Sequence, residues 1–129
     1  MAKTIRQSVT IKATPRAVYE TLMDSRKHAA FSGAPAKISR KPGGRFTAYG
    51  SYISGVNLEL VPGKRIVQLW RSKGWPKYHY STVTYALAKV KGGTRLTFTQ
   101  EGVPDDDVKD KMSGWVTHYW QPMKVRLEK

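Results

Sequence analysis

At 129 residues, with 40% hydrophobic and 25% charged side chains, the chain has the length and balance of one globular domain. That excludes a disordered tail, a collagen-like fibre and a coiled coil, and the absence of cysteine excludes disulfides, thiolate metal sites and a cysteine nucleophile. Lys and Arg number 23 against nine Asp and Glu, a net charge of +14; residues 1–100 hold 18 of the basic side chains and three of the acids, whereas residues 101–129 are close to neutral. Such a surface attracts polyanions by long-range steering, but no block of consecutive basic residues marks a nucleic-acid arm. Apolar runs are too short to span a membrane. Met1-Ala2-Lys3 leads into a strand pattern rather than the apolar stretch of a secretion signal, so a single cytoplasmic domain over residues 1–129 is expected.

Taken in chain order, residues 4–12 alternate, with Ile5, Gln7, Val9 and Ile11 on one face of a half-buried strand. Thr14-Pro15 supplies an N-cap and a first-turn proline for a helix over 15–23. A second short helix is predicted over 25–31, ended by Ser32-Gly33-Ala34-Pro35. Strands follow over 36–40, 45–49, 52–61, 64–72, 78–90 and 94–101, cut by Pro42-Gly43-Gly44, by a type II turn at Pro62-Gly63, by Gly74-Trp75-Pro76 and by a two-residue turn at Gly92-Gly93. Inward residues are predicted to be Val56, Leu58 and Leu60, then Ile66, Gln68 and Trp70, then Val83, Tyr85 and Leu87, then Leu96 and Phe98. Finally Val108, Met112, Trp115, Val116, Tyr119, Met123 and Leu127 recur at helical spacing, predicting one amphipathic helix over 105–128. Asp105, Asp106 and Asp107 open it, Lys124, Arg126 and Lys129 close it, and Pro122 is expected to kink it.

Consecutive strands joined by tight turns imply an antiparallel meander. The whole is an α+β arrangement: a seven-stranded curved antiparallel sheet wrapped around a long C-terminal helix, with short helices after the first strand. A curved sheet around one helix can leave a cavity, for which Phe46, Gln68, Trp70, Tyr85, Phe98, Trp115 and Tyr119 are the candidate lining residues. The same aromatics could instead simply fill a core. Gln7, Gln68, Ser81 and Gln100 also fall on inward phases and need partners there, from one another, from water or from a ligand's polar end.

A second constellation is basic and aromatic. Arg45, Arg71, Lys73, Trp75, Lys77 and Tyr78 are candidates for docking on an acidic protein face, with Trp75 and Tyr78 exposed in a Gly-Pro-rich loop. Single-stranded nucleic acid is the weaker alternative, because no RNA- or DNA-binding signature accompanies the patch. His28, His79 and His118 lie far apart and suggest no metal site. Asp105-Asp106-Asp107 lacks calcium-loop spacing and is read as helix capping, and Pro42-Gly43-Gly44-Arg45 leads into a strand and is read as a turn rather than a phosphate loop. No Gly-x-Ser-x-Gly elbow or paired carboxylates are present, so no catalytic residue is nominated, no cofactor is expected and the protein is read as non-enzymatic.

The order of elements resembles the helix-grip fold of the START and birch-pollen-allergen superfamily. Phe31-Ser32-Gly33-Ala34-Pro35-Ala36, Pro42-Gly43-Gly44-Arg45-Phe46, Leu60-Val61-Pro62-Gly63-Lys64-Arg65-Ile66-Val67-Gln68-Leu69-Trp70-Arg71, Trp75-Pro76, and Gly114-Trp115 with Tyr119 and Lys124 together resemble the domain named for the activator of Hsp90 ATPase, over about residues 4–128. The nearer likeness is to the C-terminal domain of the eukaryotic co-chaperone, without its additional N-terminal domain. The resemblance implies binding to an Hsp90-type chaperone and acceleration of its ATP cycle. The alternative expectation is a carrier or sensor of a small hydrophobic ligand in the cavity between sheet and C-terminal helix.

Overall fold

The structure, a computed structural model, describes residues 2–128. Its first strand, β1 (Ala2–Ile11), buries Ile5 and Ile11 and turns Thr4, Arg6, Ser8 and Thr10 to solvent. Thr14 then caps α1 (Pro15–Met23) by accepting the Ala17 N–H at 3.1 Å, and Asp24 caps α2 (Ser25–Ser32) by accepting the Lys27 N–H at 3.0 Å. The strands β2 (Lys37–Ile38), β3 (Arg45–Ala48), β4 (Ile53–Val61), β5 (Arg65–Ser72), β6 (Ser81–Val90) and β7 (Gly93–Pro104) complete one antiparallel sheet of order β1-β7-β6-β5-β4-β3-β2. Its inner face, with Phe46, Ile66, Trp70, Val83, Tyr85, Leu96 and Phe98, packs on the helices as a single core. The fold is the expected helix grip.

Three details of the sheet and helix depart from expectation. In β4 the core-facing residues are Ile53, Gly55 and Asn57, not Val56 and Leu58. A bulge pairs Asn57 with Gln68 but Glu59 with Val67, which leaves Leu58 unpaired and 47% exposed and shifts the phase so that Leu60 turns back onto the core. The hairpin turn between β6 and β7 is Lys91-Gly92, because Val90 already pairs with Gly93. Gly93 is needed within the strand: a Cβ there would lie 2.2 Å from the Ile11 carbonyl oxygen.

The third departure is the C-terminal helix. The segment expected as one helix begins as a single 3-10 turn (Asp105–Asp107), continues as α3 (Val108–Trp115), widens into a π turn (Val116–Trp120) and ends as α4 (Gln121–Leu127). Pro122 has no N–H to offer the carbonyl four residues back. The helix absorbs that loss in the π turn just before the proline, where the Gln121 N–H reaches the Val116 carbonyl. The Asp107 carboxylate does not cap α3; it is spent on Trp75 and Lys111. Lys129, expected at the helix end, lies outside the described residues, as does Met1.

The π turn has a packing consequence. In a regular helix, residues five apart point about 140° away from each other. Here Trp115 and Trp120 stack, with centroids 5.6 Å apart and planes 19° from parallel. Both indoles then meet the sheet. Trp115 Nε1 donates to Gln100 Oε1 at 2.7 Å, Gln100 Nε2 donates to Ser81 Oγ at 3.0 Å, and Ser81 Oγ donates to the Trp70 carbonyl at 2.9 Å. Trp120 Nε1 donates to Gln7 Oε1 at 2.7 Å, and Gln7 Nε2 donates to the Met112 carbonyl at 2.9 Å. Gln68 Nε2 donates to Asn57 Oδ1 at 3.0 Å. The inward glutamines therefore serve the protein's own helix and strands. Replacing Gln100 by Leu strands the buried Trp115 indole donor and is expected to cost about 2 kcal/mol, read as a lower urea midpoint at unchanged slope.

Candidate functional site

Five aromatic side chains meet where the helix passes the far end of the sheet. The β3–β4 turn delivers Tyr49 and Tyr52, the end of β5 delivers Trp70, and α3 with the π turn delivers Trp115 and Tyr119. Between them, with Ile53, Lys111 and Gly114, runs a groove of about 450 Å³. Its rim is open: Ser113, Thr117 and His118 are exposed and Tyr52 is 45% exposed. Deeper, between the sheet and the helices, a void of about 10 Å³ lies against Phe46, Gln68, Tyr85 and Tyr119, room for one water.

Tyr49 ties the groove to the helix. Its hydroxyl donates to the His118 carbonyl at 2.6 Å, the carbonyl that Pro122 is placed to leave without a donor. Tyr49 does so from the left-handed region, at φ 51°, where a bulky side chain costs on the order of 1–3 kcal/mol. Burial pushes its hydroxyl up to about 12, so it remains a donor at neutral pH. Tyr119 is also raised well above its ordinary value, chiefly by burial. Lys111 lies buried at the groove wall, with Nζ 3.0 Å from Asp107 and 3.1 Å from Asp110 and 5.7 Å from the centre of the Tyr52 ring. Burial lowers its affinity for the proton, but the hydrogen bonds of Asp107 and Asp110 outweigh that and leave its pKa raised. Among the described residues no cluster of His, Asp and Glu could hold a metal ion.

The seven cavity candidates divide. Trp70, Trp115 and Tyr119 line the groove; Phe46, Gln68 and Tyr85 border the water-sized void, as do Trp70 and Tyr119; Phe98 packs in the core against Trp115 at 4.3 Å. Of the docking candidates, Arg45, Lys73, Lys77 and Tyr78 are exposed, Tyr78 at 80%. Arg71 is half-buried and donates to the Trp75 and Pro76 carbonyls at 2.8 and 3.3 Å. Trp75 is a correction. It is buried, packs on Trp70 at 5.5 Å, and donates through Nε1 to Asp107 at 2.6 Å. The Gly-Pro-rich loop wraps around its tryptophan instead of displaying it, and Tyr78, Tyr80 and Tyr52 are the aromatics left at the surface. Sequence reasoning missed Lys111 and the parts played in the groove by Tyr49 and by Gly114, which it read only as half of the Gly114-Trp115 motif. The one local signal was Pro122, which points to an orphaned carbonyl at His118.

Comparison with known proteins gives this geometry a context. A sequence model described as activator of Hsp90 ATPase homolog 1-like protein matches residues 12–128. The human activator of 90 kDa heat shock protein ATPase homolog 1 is 32% identical over 120 residues, covering 90% of this chain and 36% of its own. A Dictyostelium discoideum activator of the same kind is 32% identical over 114 residues, covering 88% of this chain and 30% of its own. The chain thus spans about a third of the length of these curated relatives. Among solved structures, an HSP90 activator from Plasmodium falciparum superposes with a TM-score of 0.92 at 23% identity, covering 97% of this chain and 96% of its own, and so shares the fold. A Chromobacterium violaceum protein superposes with a TM-score of 0.81 at 28% identity over 98% of both chains.

His28, on α2 behind the groove, gives a pH test of the packing. It shares a 3.1 Å hydrogen bond with the Tyr119 hydroxyl, and its buried Nδ1 has no partner among the described residues. Burial lowers its pKa to about 4. The unfolded chain therefore takes up a proton near pH 6.5 that the folded chain resists until about 4. Stability is full above that window and falls by about 3 kcal/mol as pH drops through it. Urea midpoints measured from pH 7 to 4 should show this loss, and His28→Phe should flatten it.

Proposed function

The chain belongs to the activator of Hsp90 ATPase homolog 1-like family, and from that premise we propose a non-enzymatic binding protein that docks on an acidic surface of an Hsp90-type chaperone and speeds its ATP cycle. The observation that carries the reading is the β5–β6 loop. Lys73, Lys77 and Tyr78 stand exposed on it, with Lys77 Nζ 5.1 Å from the centre of the Tyr78 ring. Beneath them Trp75 fixes the loop to Asp107, and Arg71 holds its carbonyls. A rigid loop that presents cations around a tyrosine is suited to an acidic partner, since little ordering entropy is lost on contact.

The solvent face of the sheet extends the same charge. Register places Arg6, Arg45, Arg65, Arg71 and Arg95 on that face, among threonines and the half-buried Val56, Val67 and Leu69. Arg65 pairs there with Glu59 at 2.8 Å, and Arg71 donates to the Trp75 and Pro76 carbonyls. A face of this composition favours fast, salt-sensitive association.

The test is the steady-state ATPase rate of the source organism's Hsp90, titrated with this protein at low and moderate salt. A saturable rise that weakens as salt increases is expected. Reversing Lys73 and Lys77 to Glu should weaken half-saturation by on the order of tenfold with an unchanged urea midpoint. A flat titration would overturn the reading.

A further inference from the structure

Gly114 is the residue in the groove that the fold does not explain. It sits inside a continuous helical stretch, where glycine is a poor choice relative to alanine. Its φ is not positive, and a Cβ built there would meet nothing closer than His118 Cδ2 at 3.9 Å. Neither backbone conformation nor a close neighbour demands it. What a side chain at 114 would do is enter the groove, which Gly114 lines. The residue keeps that space open, beside a left-handed Tyr49 and a π turn that already set the groove's other walls.

We infer that the groove receives a bulky aromatic side chain carried on an extended acidic stretch of a partner protein. Over a floor of buried Trp70, Trp115 and Tyr119, the half-buried Tyr49 and the exposed Tyr52 offer aromatic surface to another ring. The open rim suits a side chain entering from a backbone that stays outside; a free small molecule is normally enclosed over most of its surface. Charge fixes the chemistry of the flanks. Inside the groove Lys111 is already neutralised by Asp107 and Asp110, so it selects no anion. Next to it, the Lys73 N–H donates to the Tyr52 carbonyl at 2.8 Å and Trp75 packs on Trp70, which joins the groove to the basic loop. Acidic residues beside the anchor would lie on Lys73 and Lys77, while the exposed Asp110 carboxylate repels them at the opposite rim. The inference rests on the docking reading above and names the surface that would carry it.

The experiment is selection of a random-peptide phage library on the full chain and on Gly114→Leu, followed by calorimetric titration of the selected peptide and of its aromatic-to-alanine version. The expected consensus is an aromatic residue with acidic neighbours. Alanine in its place should weaken binding about tenfold or more, Gly114→Leu should weaken it equally, and higher salt should weaken all of them. Gly114→Ala serves as the folding control and should raise the thermal midpoint by about 4 °C. No enrichment, a consensus without an aromatic, or equal affinity for Gly114→Leu would overturn the assignment. So would a small molecule that co-purifies with the wild type, leaves on Gly114→Leu in native mass spectrometry, and is not displaced by peptide. The two proposals fail separately: a flat Hsp90 titration with successful peptide selection removes only the chaperone, and full Hsp90 stimulation by Gly114→Leu removes only the groove.

Discussion

The fold depends on giving buried indole N–H groups an acceptor. A curved sheet closed by one helix needs large side chains to fill the space between them, and tryptophan supplies area at the cost of a donor that must be satisfied. Here Gln100 receives Trp115, Gln7 receives Trp120 and Asp107 receives Trp75. Each of these acceptors lies on a different element from its donor, so the three bonds also fix how helix, sheet and loop sit on one another. Gln7 and Gln100 share the inner face of neighbouring strands at diagonal positions, Gln7 opposite Phe98 and Gln100 opposite Ile5, and each turns its amide nitrogen to a further acceptor. The polar residues of the inner face are the fittings on which the helix is mounted.

The same demand explains the irregular helix. Stacking Trp115 on Trp120 requires a widened turn, and Pro122 tolerates one because its missing N–H has already broken the α pattern there. The carbonyl thereby exposed at His118 is taken up by Tyr49 from the β3–β4 turn. A local defect in the helix is thus converted into a cross-link to the sheet, and the space beside that cross-link is the groove. The site is a by-product of how the helix accommodates its proline and its tryptophans, kept open by a glycine that packing does not require.

This separates what the sequence made legible from what it did not. Period-two alternation placed Gln68, Trp70, Tyr85 and Phe98 inward, and Thr14-Pro15 marked the start of α1, because those signals are local. The β4 phase was misread because a bulge inserts one residue and reverses every side chain beyond it; nothing in Asn57-Leu58-Glu59 announces that. Trp75 was misread because Gly and Pro on either side describe the backbone, whereas burial was decided by an acceptor 32 residues later at Asp107. Tyr49 comes from the β3–β4 turn and Lys111 and Gly114 from α3, so the groove exists only once the chain is folded. Charge, by contrast, survived as a signal since it needs only composition.

Charge also links the fold to its use. The few acids are largely committed to internal work: Glu20 to Arg40, Glu59 to Arg65, Asp107 and Asp110 to Lys111, Asp24 to the α2 cap, and Glu128 to the Lys12 N–H. They hold elements together near the chain's turns and helix ends, and the sheet face and the β5–β6 loop keep a share of the +14 excess in Arg6, Arg45, Arg71, Arg95, Lys73 and Lys77. Such an excess destabilises a compact chain through self-repulsion, and a domain selected for stability alone could have relieved it by a few substitutions at exposed positions such as Lys73 and Lys77. The unrelieved charge and the unfilled groove adjoin one another through Tyr52 and Trp70. Two departures from maximal stability on one contiguous surface are better accounted for by a partner that supplies the missing carboxylates and the missing ring than by two independent accidents of packing.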